Sequence, residues 1–378
     1  MKQRPIRVLH ILGSMGRGGA ETWMVQLLDH LDPRRIQVDL MVHQLGGAYE
    51  EKVGSHGGRV LSGPMVDKPL VYAASFKKIL RENGPYDAVH SHLQLFSGLI
   101  LKTAAKMGIP GRIAHARNSN DGQRWTPYRA VYRTLMRHWI DRYATHRFAV
   151  SAQAAAGTFG KDVLRKGRCR LLSGMDFAPF QQPIDRNSIR QALGIRQGVK
   201  VVGHVGSFRR QKNHAFLLEI AQLTCAKDHN LLFLLVGEGP LRGEMEERVR
   251  LMGLGSRILF LGERPDVPKI LRSLDAFVFP SLYEGLPRVL LEAQAAGLSP
   301  LASDVIAPEA AAWPGNVAFM SLQAGPRGWA EYLLSLLDNT PPTGQGARAI
   351  KCFEERGLDI DGNATILTNL YEEIANSH

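Results

Sequence analysis

Only three cysteines, Cys169, Cys225 and Cys352, occur in 378 residues, and they are scattered without metal-ligand spacing. That argues against a disulfide framework or a structural zinc site and fits a reduced, cytosolic chain. No apolar run is long enough to span a bilayer. The short apolar run in MKQRPIRVLHILGSMG meets a glycine loop, not a small-residue cleavage site, so it reads as a first β-strand instead of a signal peptide. Low-complexity tracts and short-period repeats are also missing.

What is present is length, glycine and an uneven charge. A chain this long exceeds one ordinary core and suggests two domains of similar size. A hydrophobic fraction of 44% with 38 glycines and 20 prolines is that of a loop-rich α/β protein. The formal net charge is +12, yet residues 1–178 carry 27 Lys and Arg against 13 Asp and Glu, while the remainder is nearly balanced. A basic first half suits an anionic membrane, a phosphorylated substrate or nucleic acid.

Short β-branched runs alternate with amphipathic segments: IRVLHIL, a helix from about Ala20 to Leu31, VDLMVH, a helix near 70–82, DAVHSH and a helix near 95–107. This is the rhythm of βα units on a parallel sheet. After LLSGMDFAPFQQP (171–183) it restarts with VKVVGHVGSF, NLLFLLVGEGP, RILFLGE and AFVFPS. Two doubly wound domains are therefore expected, residues 1–178 and 179–358. A final amphipathic helix follows within 359–378 and is free to pack on either domain.

The richest stretch is SLYEGLPRVLLEAQAAG, Ser281–Gly297. It sets Glu284 in a loop and Glu292 one to two turns into a helix whose first position suits Pro287. Gly285 allows close backbone approach, and the helix start offers amides to an anion. The pair reads as a holder for a ligand carrying hydroxyls and phosphates; a solvated or capping pair has the same outline. GSMGRGGAE places Gly16, Gly18 and Gly19 between the first strand and its helix, suited to a pyrophosphate or simply to a turn. The spacing is not G-x-G-x-x-G, so a dinucleotide fold is not supported.

In DAVHSH, period-two alternation puts His90 and His92 on one face at a strand end, where parallel sheets bind ligands. In VGSFRRQKNH, Arg209, Arg210 and Lys212 follow another strand and suit a leaving diphosphate, or form a solvated run. Gly237 and Gly239 of LLVGEGP clear space above a third strand end. In the loop from Gly262 to Asp266, backbone groups are placed to read a nucleobase edge.

Together these segments resemble the retaining glycosyltransferases of the GT-B fold, the family-four group that includes capsule, exopolysaccharide and lipopolysaccharide sugar transferases. GGAE, HSH, VGSFRRQKNH, LLVGEGPL, the FLG loop and EGLPRVLLEAQAAG occur in the family's order between residue 6 and about 304. The resemblance implies two Rossmann-like domains facing across a cleft, the first on the acceptor side and the second binding the nucleotide sugar, with the last helix crossing back to the first.

It also implies roles. Glu284 would contact donor-sugar hydroxyls and Glu292 the ribose, while backbone around Gly285, Leu286, Val289 and Leu290 would line sugar and diphosphate. Gly18 and Gly19 would approach the diphosphate, Gly237, Glu238 and Arg264 would border the nucleotide, and His92, with His90 behind it on the strand, would sit near the reacting centre. Lys212 matches the lysine that stabilises diphosphate charge. The family arginine is replaced here by Ser207, and Arg209 or Arg210 is expected to supply its charge. SGMD (173–176) departs from the usual NG-x-D and affects the hinge more than the chemistry.

The implied reaction moves a hexose from a nucleoside diphosphate sugar to an acceptor hydroxyl with retained configuration, by same-face substitution and with no cofactor or metal. The one close D-x-D, Asp359-Ile360-Asp361, lies beyond both strand sets, just before the last helix. Residues 124–147 carry six arginines with Trp125, Tyr128, Tyr132, Trp139 and Tyr143, a composition that suits an anionic membrane surface and equally an ordinary packed helix. The expected partners are a nucleotide-sugar donor and a glycan or lipid-linked acceptor, with no nucleic acid, at a cytoplasmic location peripheral to the membrane. Two other readings stay open: a noncatalytic nucleotide-sugar-binding or assembly protein, and a GT-B epimerase.

Overall fold

The computed structural model describes residues 4–119, 126–338 and 344–377. The chain divides into two compact units, Met1–Asp176 with Gly357–His378, and Phe177–Arg356. The first division falls two residues before the sequence-based boundary, and the last helix belongs to the first unit.

The first unit is built on seven parallel strands: β1 (Ile6–Leu12), β2 (Ile36–Val42), β3 (Val60–Ser62), β4 (Ala88–Ser91), β5 (Gly111–Ala116), β6 (His146–Ala149) and β7 (Arg170–Leu171), in the order 3-2-1-4-5-6-7. The helices Gly19–His30, Pro69–Asn83 and Ser97–Lys106 lie within a residue or two of their expected places. One core cluster joins Val8, Leu12, Trp23, Leu27 and Leu40 to Ile360, Leu367, Tyr371 and Ile374 of the Ile360–Asn376 helix. That helix is tied further by Arg35 and Glu372, 2.5 Å apart.

Where the chain leaves and re-enters this unit, Met175 forms a parallel bridge with Asp359, its N–H donating to Leu358 O at 2.9 Å. Gly174 is required there, since a Cβ would lie 2.6 Å from the Asp359 carbonyl oxygen. Asp359 caps the last helix through Gly362 N–H, and Asp361 is exposed, so the D-x-D is occupied by helix initiation.

The second unit has six parallel strands: β8 (Lys200–Val205), β9 (Leu231–Val236), β10 (Ile258–Gly262), β11 (Ala276–Phe279), β12 (Leu301–Ser303) and β13 (Ala318–Met320), in the order 10-9-8-11-12-13. Its strands read as near-continuous apolar runs because helices bury the sheet. Val202, Phe233, Leu235, Val278 and Leu301 pack with Leu217 and Ala221 of the helix His214–Lys227 and with Trp329. In both sheets the chain order reverses between neighbouring central strands, β1/β4 and β8/β11, which is where such sheets bind ligands.

Candidate active site

The second unit brings its most distant candidates together. After β8 the chain forms a single 3-10 turn, Arg210–Lys212, and Asn213 at φ +56° caps the next helix from the left-handed region. Gln211 and Asn213 then bind the loop after β11: Gln211 Nε2 donates to Tyr283 O at 2.8 Å, Leu282 N–H donates to Gln211 O, and Asn213 Nδ2 donates to Pro280 O. Held this way, Lys212 Nζ lies 2.6 Å from Glu284 Oε1 and 4.6 Å from the Phe279 ring centre. The side chains of Lys212 and Glu284 are 15% and 7% exposed, so the ion pair is largely withdrawn from water.

Glu292 lies in the second turn of the helix Arg288–Ala295, half-buried. Burial pushes its carboxyl up from the usual range, against the Arg288 charge. Pro287 caps this helix instead of occupying its first turn, one residue from expectation, and Leu290 N–H is already donated to Pro287 O. Gly285, Leu286 and Leu290 are buried. Gln294 pins the helix from inside: its Nε2 donates to Leu290 O and Ala310 O, and its Oε1 accepts from Ala312 N–H and Asn316.

Arg209 and Arg210 are exposed, and among the described residues neither side chain has an ion-pair partner. Gly237 and Gly239 adopt φ +139° and +155°. The space they clear is filled by backbone, since a Cβ at Gly237 would lie 2.2 Å from Gly206 O and one at Gly239 would lie 2.7 Å from Phe208 O. Glu238 pairs with Arg242, and Arg264 makes a two-pronged bond to Asp266 at 2.8 Å, so both candidate nucleotide contacts start from internal ion pairs.

In the first unit, none of Gly16, Gly18 and Gly19 takes a positive φ. A Cβ at Gly18 would meet only the carboxylate end of Glu21, 2.3 Å from its Oε2, a flexible side chain that can swing aside. His90 and His92 share a face, as alternation requires, but the face is interior. His92 Nε2 is 3.0 Å from His10 Nδ1, and its Nδ1 accepts from Arg117 Nε at 3.0 Å. Both ring nitrogens are thus engaged within the protein, where the sequence reading expected an imidazole presented to a sugar hydroxyl. Sequence reasoning missed His10, His115, Arg117 and Tyr371, which surround these rings. They come from strands and a helix far apart in the chain, and only the pairing of His10 with His90 across β1 and β4, with His115 two residues beyond their level on β5, hints at the cluster.

The basic helix Pro127–Tyr143 packs by Met136 and Ile140. Lys102 Nζ lies 3.7 Å over the Trp139 ring centre, and Arg137 donates to Gly157 O and Thr158 O, so part of the aromatic and basic face is structural. Tyr128, Val131 and Leu135 remain exposed. Trp125 lies outside the described residues.

Residues 17–167 match the family model "Glycosyltransferase Family 4", and residues 199–339 match "Glycosyl transferases group 1". EpsF of Bacillus subtilis strain 168, whose name assigns it as a glycosyltransferase without naming a substrate, is 35% identical over 97% of this chain and 96% of its own length. The capsular polysaccharide biosynthesis glycosyltransferase CapH of Staphylococcus aureus is 24% identical over 76% of this chain and 78% of its own. Among solved structures, Anabaena HepE in complex with UDP and glucose superposes with a TM-score of 0.78 at 17% identity, covering 97% of this chain and all of that one. WaaG, a glycosyltransferase involved in lipopolysaccharide biosynthesis, gives 0.73 at 18% identity, covering 96% of this chain and 99% of its own.

Proposed function

The chain belongs to the family-four, group 1 glycosyltransferases of the GT-B fold, and we propose that it moves a hexose with retention from a nucleoside diphosphate sugar to an acceptor hydroxyl in cell-surface glycan synthesis. The observation that carries this reading is the buried Lys212–Glu284 pair beside the helix bearing Glu292. In such a site the carboxylate of Glu284 binds sugar hydroxyls while the ammonium, which has three donors, also faces the diphosphate. Arg209 adds exposed positive charge immediately before the turn begins. Glu292 holds the ribose.

Charge building on the leaving diphosphate is then met by Lys212, by Arg209 and by backbone at the Arg288 helix start. Removing one such group typically costs about 2.7–4 kcal/mol of transition-state stabilisation. The acceptor proton passes to the leaving phosphate on the same face, so no side-chain nucleophile is needed. His92 belongs to the support of Arg117, not to the reacting atoms, because both its nitrogens are taken. Activity in excess EDTA should equal that without it.

The names of CapH and WaaG favour a polysaccharide or lipid-linked acceptor, and UDP in the HepE structure favours a uridine nucleotide. The exposed Tyr128, Val131 and Leu135 on a basic helix support peripheral attachment to an anionic membrane, which pelleting with anionic liposomes measures. Among the described residues no helix is long and apolar enough to cross a membrane. A thermal-shift screen of nucleoside diphosphate sugars tests the donor: at 100 times its dissociation constant a ligand stabilises by about 2.7 kcal/mol. A panel with no stabilising member, or a bound donor that is neither hydrolysed nor transferred, rejects the proposal. Release of an isomerised nucleotide sugar without acceptor identifies an epimerase instead.

A further inference from the structure

Four imidazoles and a phenol occupy the middle of the first unit's core, where aliphatic residues are the rule. His10, His90 and His115 project from neighbouring strands β1, β4 and β5; His92 follows β4, and Tyr371 descends from the last helix. All five are buried. Buried polar groups in such a place must satisfy one another.

They do so in one continuous line. Arg117 Nε is 3.0 Å from His92 Nδ1, and His92 Nε2 is 3.0 Å from His10 Nδ1. His10 Nε2 is 3.0 Å from Tyr371 Oη, and Tyr371 Oη is 2.8 Å from His90 Nδ1. His90 Nε2 is 3.2 Å from His115 Nδ1, and His115 Nε2 is 3.0 Å from Leu172 O.

The two ends dictate every proton. A guanidinium N–H can only donate, so His92 Nδ1 accepts and its proton sits on Nε2. That proton goes to His10 Nδ1, which leaves the His10 proton on Nε2, donated to the Tyr371 oxygen. The phenol O–H then donates to His90 Nδ1, His90 Nε2–H to His115 Nδ1, and His115 Nε2–H to the Leu172 carbonyl, which can only accept. Read from either end the direction is the same. Burial keeps the pKa of all four rings low, His10 at about 3, with the Arg117 charge acting in the same sense on each. One ring nitrogen each of His10, His90 and His92 lies within 4.8 Å of the others, but each nitrogen already has its place in the line, and the cluster is accounted for without an ion.

We propose that Tyr371 is a positioning residue: its hydroxyl is the link through which the C-terminal helix fixes the tautomer of His92, and through His92 the seat of Arg117 beside Glu21 and the Gly18 loop. Arg117 lies 3.8 Å over the Trp23 ring centre, and its charge acts on the Glu21 carboxyl, which burial raises. Because the line is anchored at both ends, His92 keeps its proton on Nε2 even when one anchor is removed. A locally held ring has no such redundancy.

The test is spectroscopic and holds whether or not the chain turns over a nucleotide sugar. In the full chain labelled with ¹⁵N-histidine, long-range ¹H–¹⁵N spectra report the tautomer of His92, assigned by the signal lost in His92→Gln. Wild type and Arg117→Met are expected to show one Nε2–H form. Arg117→Met combined with Tyr371→Phe is expected to lose it, the Nδ1 signal moving toward the average of the two tautomers. A mixture already present in Arg117→Met overturns the proposal, and so does a single tautomer surviving in the double variant. Should the double variant not fold, Arg117→Met with His115→Phe cuts the line one link further on and carries the same two outcomes.

Discussion

Lys212 Nζ and Glu284 Oε1 lie 2.6 Å apart although 72 residues separate them in the chain. Removing one partner leaves the other charged and largely out of water, so Lys212→Ala and Glu284→Ala should each cost about 3–5 kcal/mol. The double variant Lys212→Met/Glu284→Leu should recover most of that. Urea unfolding of the three variants measures it. Equal losses that simply add in the double variant would show that the two groups do not interact.

Activity should separate the two glutamates. Glu284→Ala should lower kcat with a modest change in donor KM, whereas Glu292→Ala should raise donor KM with kcat nearly kept. Steady-state kinetics with varied donor decide it, and the reverse pattern would exchange their roles.

Glu292 also predicts a pH effect on stability. Its folded pKa is raised by burial, so the native state holds the proton more tightly than the unfolded chain, and that contribution is lost as pH rises through the folded value. Glu292→Gln should therefore raise Tm at pH 7.5, with the advantage shrinking below pH 4.5. Thermal unfolding at the two pH values checks the sign.

Histidines act in the opposite direction. Burial holds His10 near 3 and His204 near 4, against the usual 6.5. The unfolded chain takes up protons first, so stability present above 6.5 is lost as pH falls, by up to about 1.4 kcal/mol per pH unit for each such ring. Unfolding midpoints between pH 6.5 and 5 should fall accordingly, and a flat profile would mean that water reaches these rings.

Gly237→Ala should destabilise by about 2 kcal/mol or more, since φ +139° and the Gly206 carbonyl 2.2 Å from the new Cβ both oppose it. Gly54→Ala is the contrast. Gly54 lies in the helix Glu50–Ser55 with nothing within 4 Å of a Cβ, and the change should stabilise by roughly 0.5–1 kcal/mol. Melting curves of the two variants suffice.

The sheets, the helices between them and the Glu284/Glu292 spacing were readable because each is encoded within a few neighbouring residues. Glycine placement was readable too, but its cause was not: Gly237 makes room for Gly206 and Gly239 for Phe208, partners that appear only after folding. The interior histidines were the least legible. Alternation correctly put His90 and His92 on one face, yet nothing local distinguishes a face turned to a ligand from one closed by Tyr371, 281 residues beyond His90.

The contribution of Ile360, Leu367, Tyr371 and Ile374 to the first unit's core has a consequence for synthesis. As the chain emerges from the ribosome, residues 1–176 are made first but lack one wall of their core until the final helix is released. The second unit, whose residues are continuous from Phe177 to Arg356, has its full complement earlier. Nascent-chain proteolysis should accordingly find the second half protected before the first, the reverse of the order in which the halves are translated.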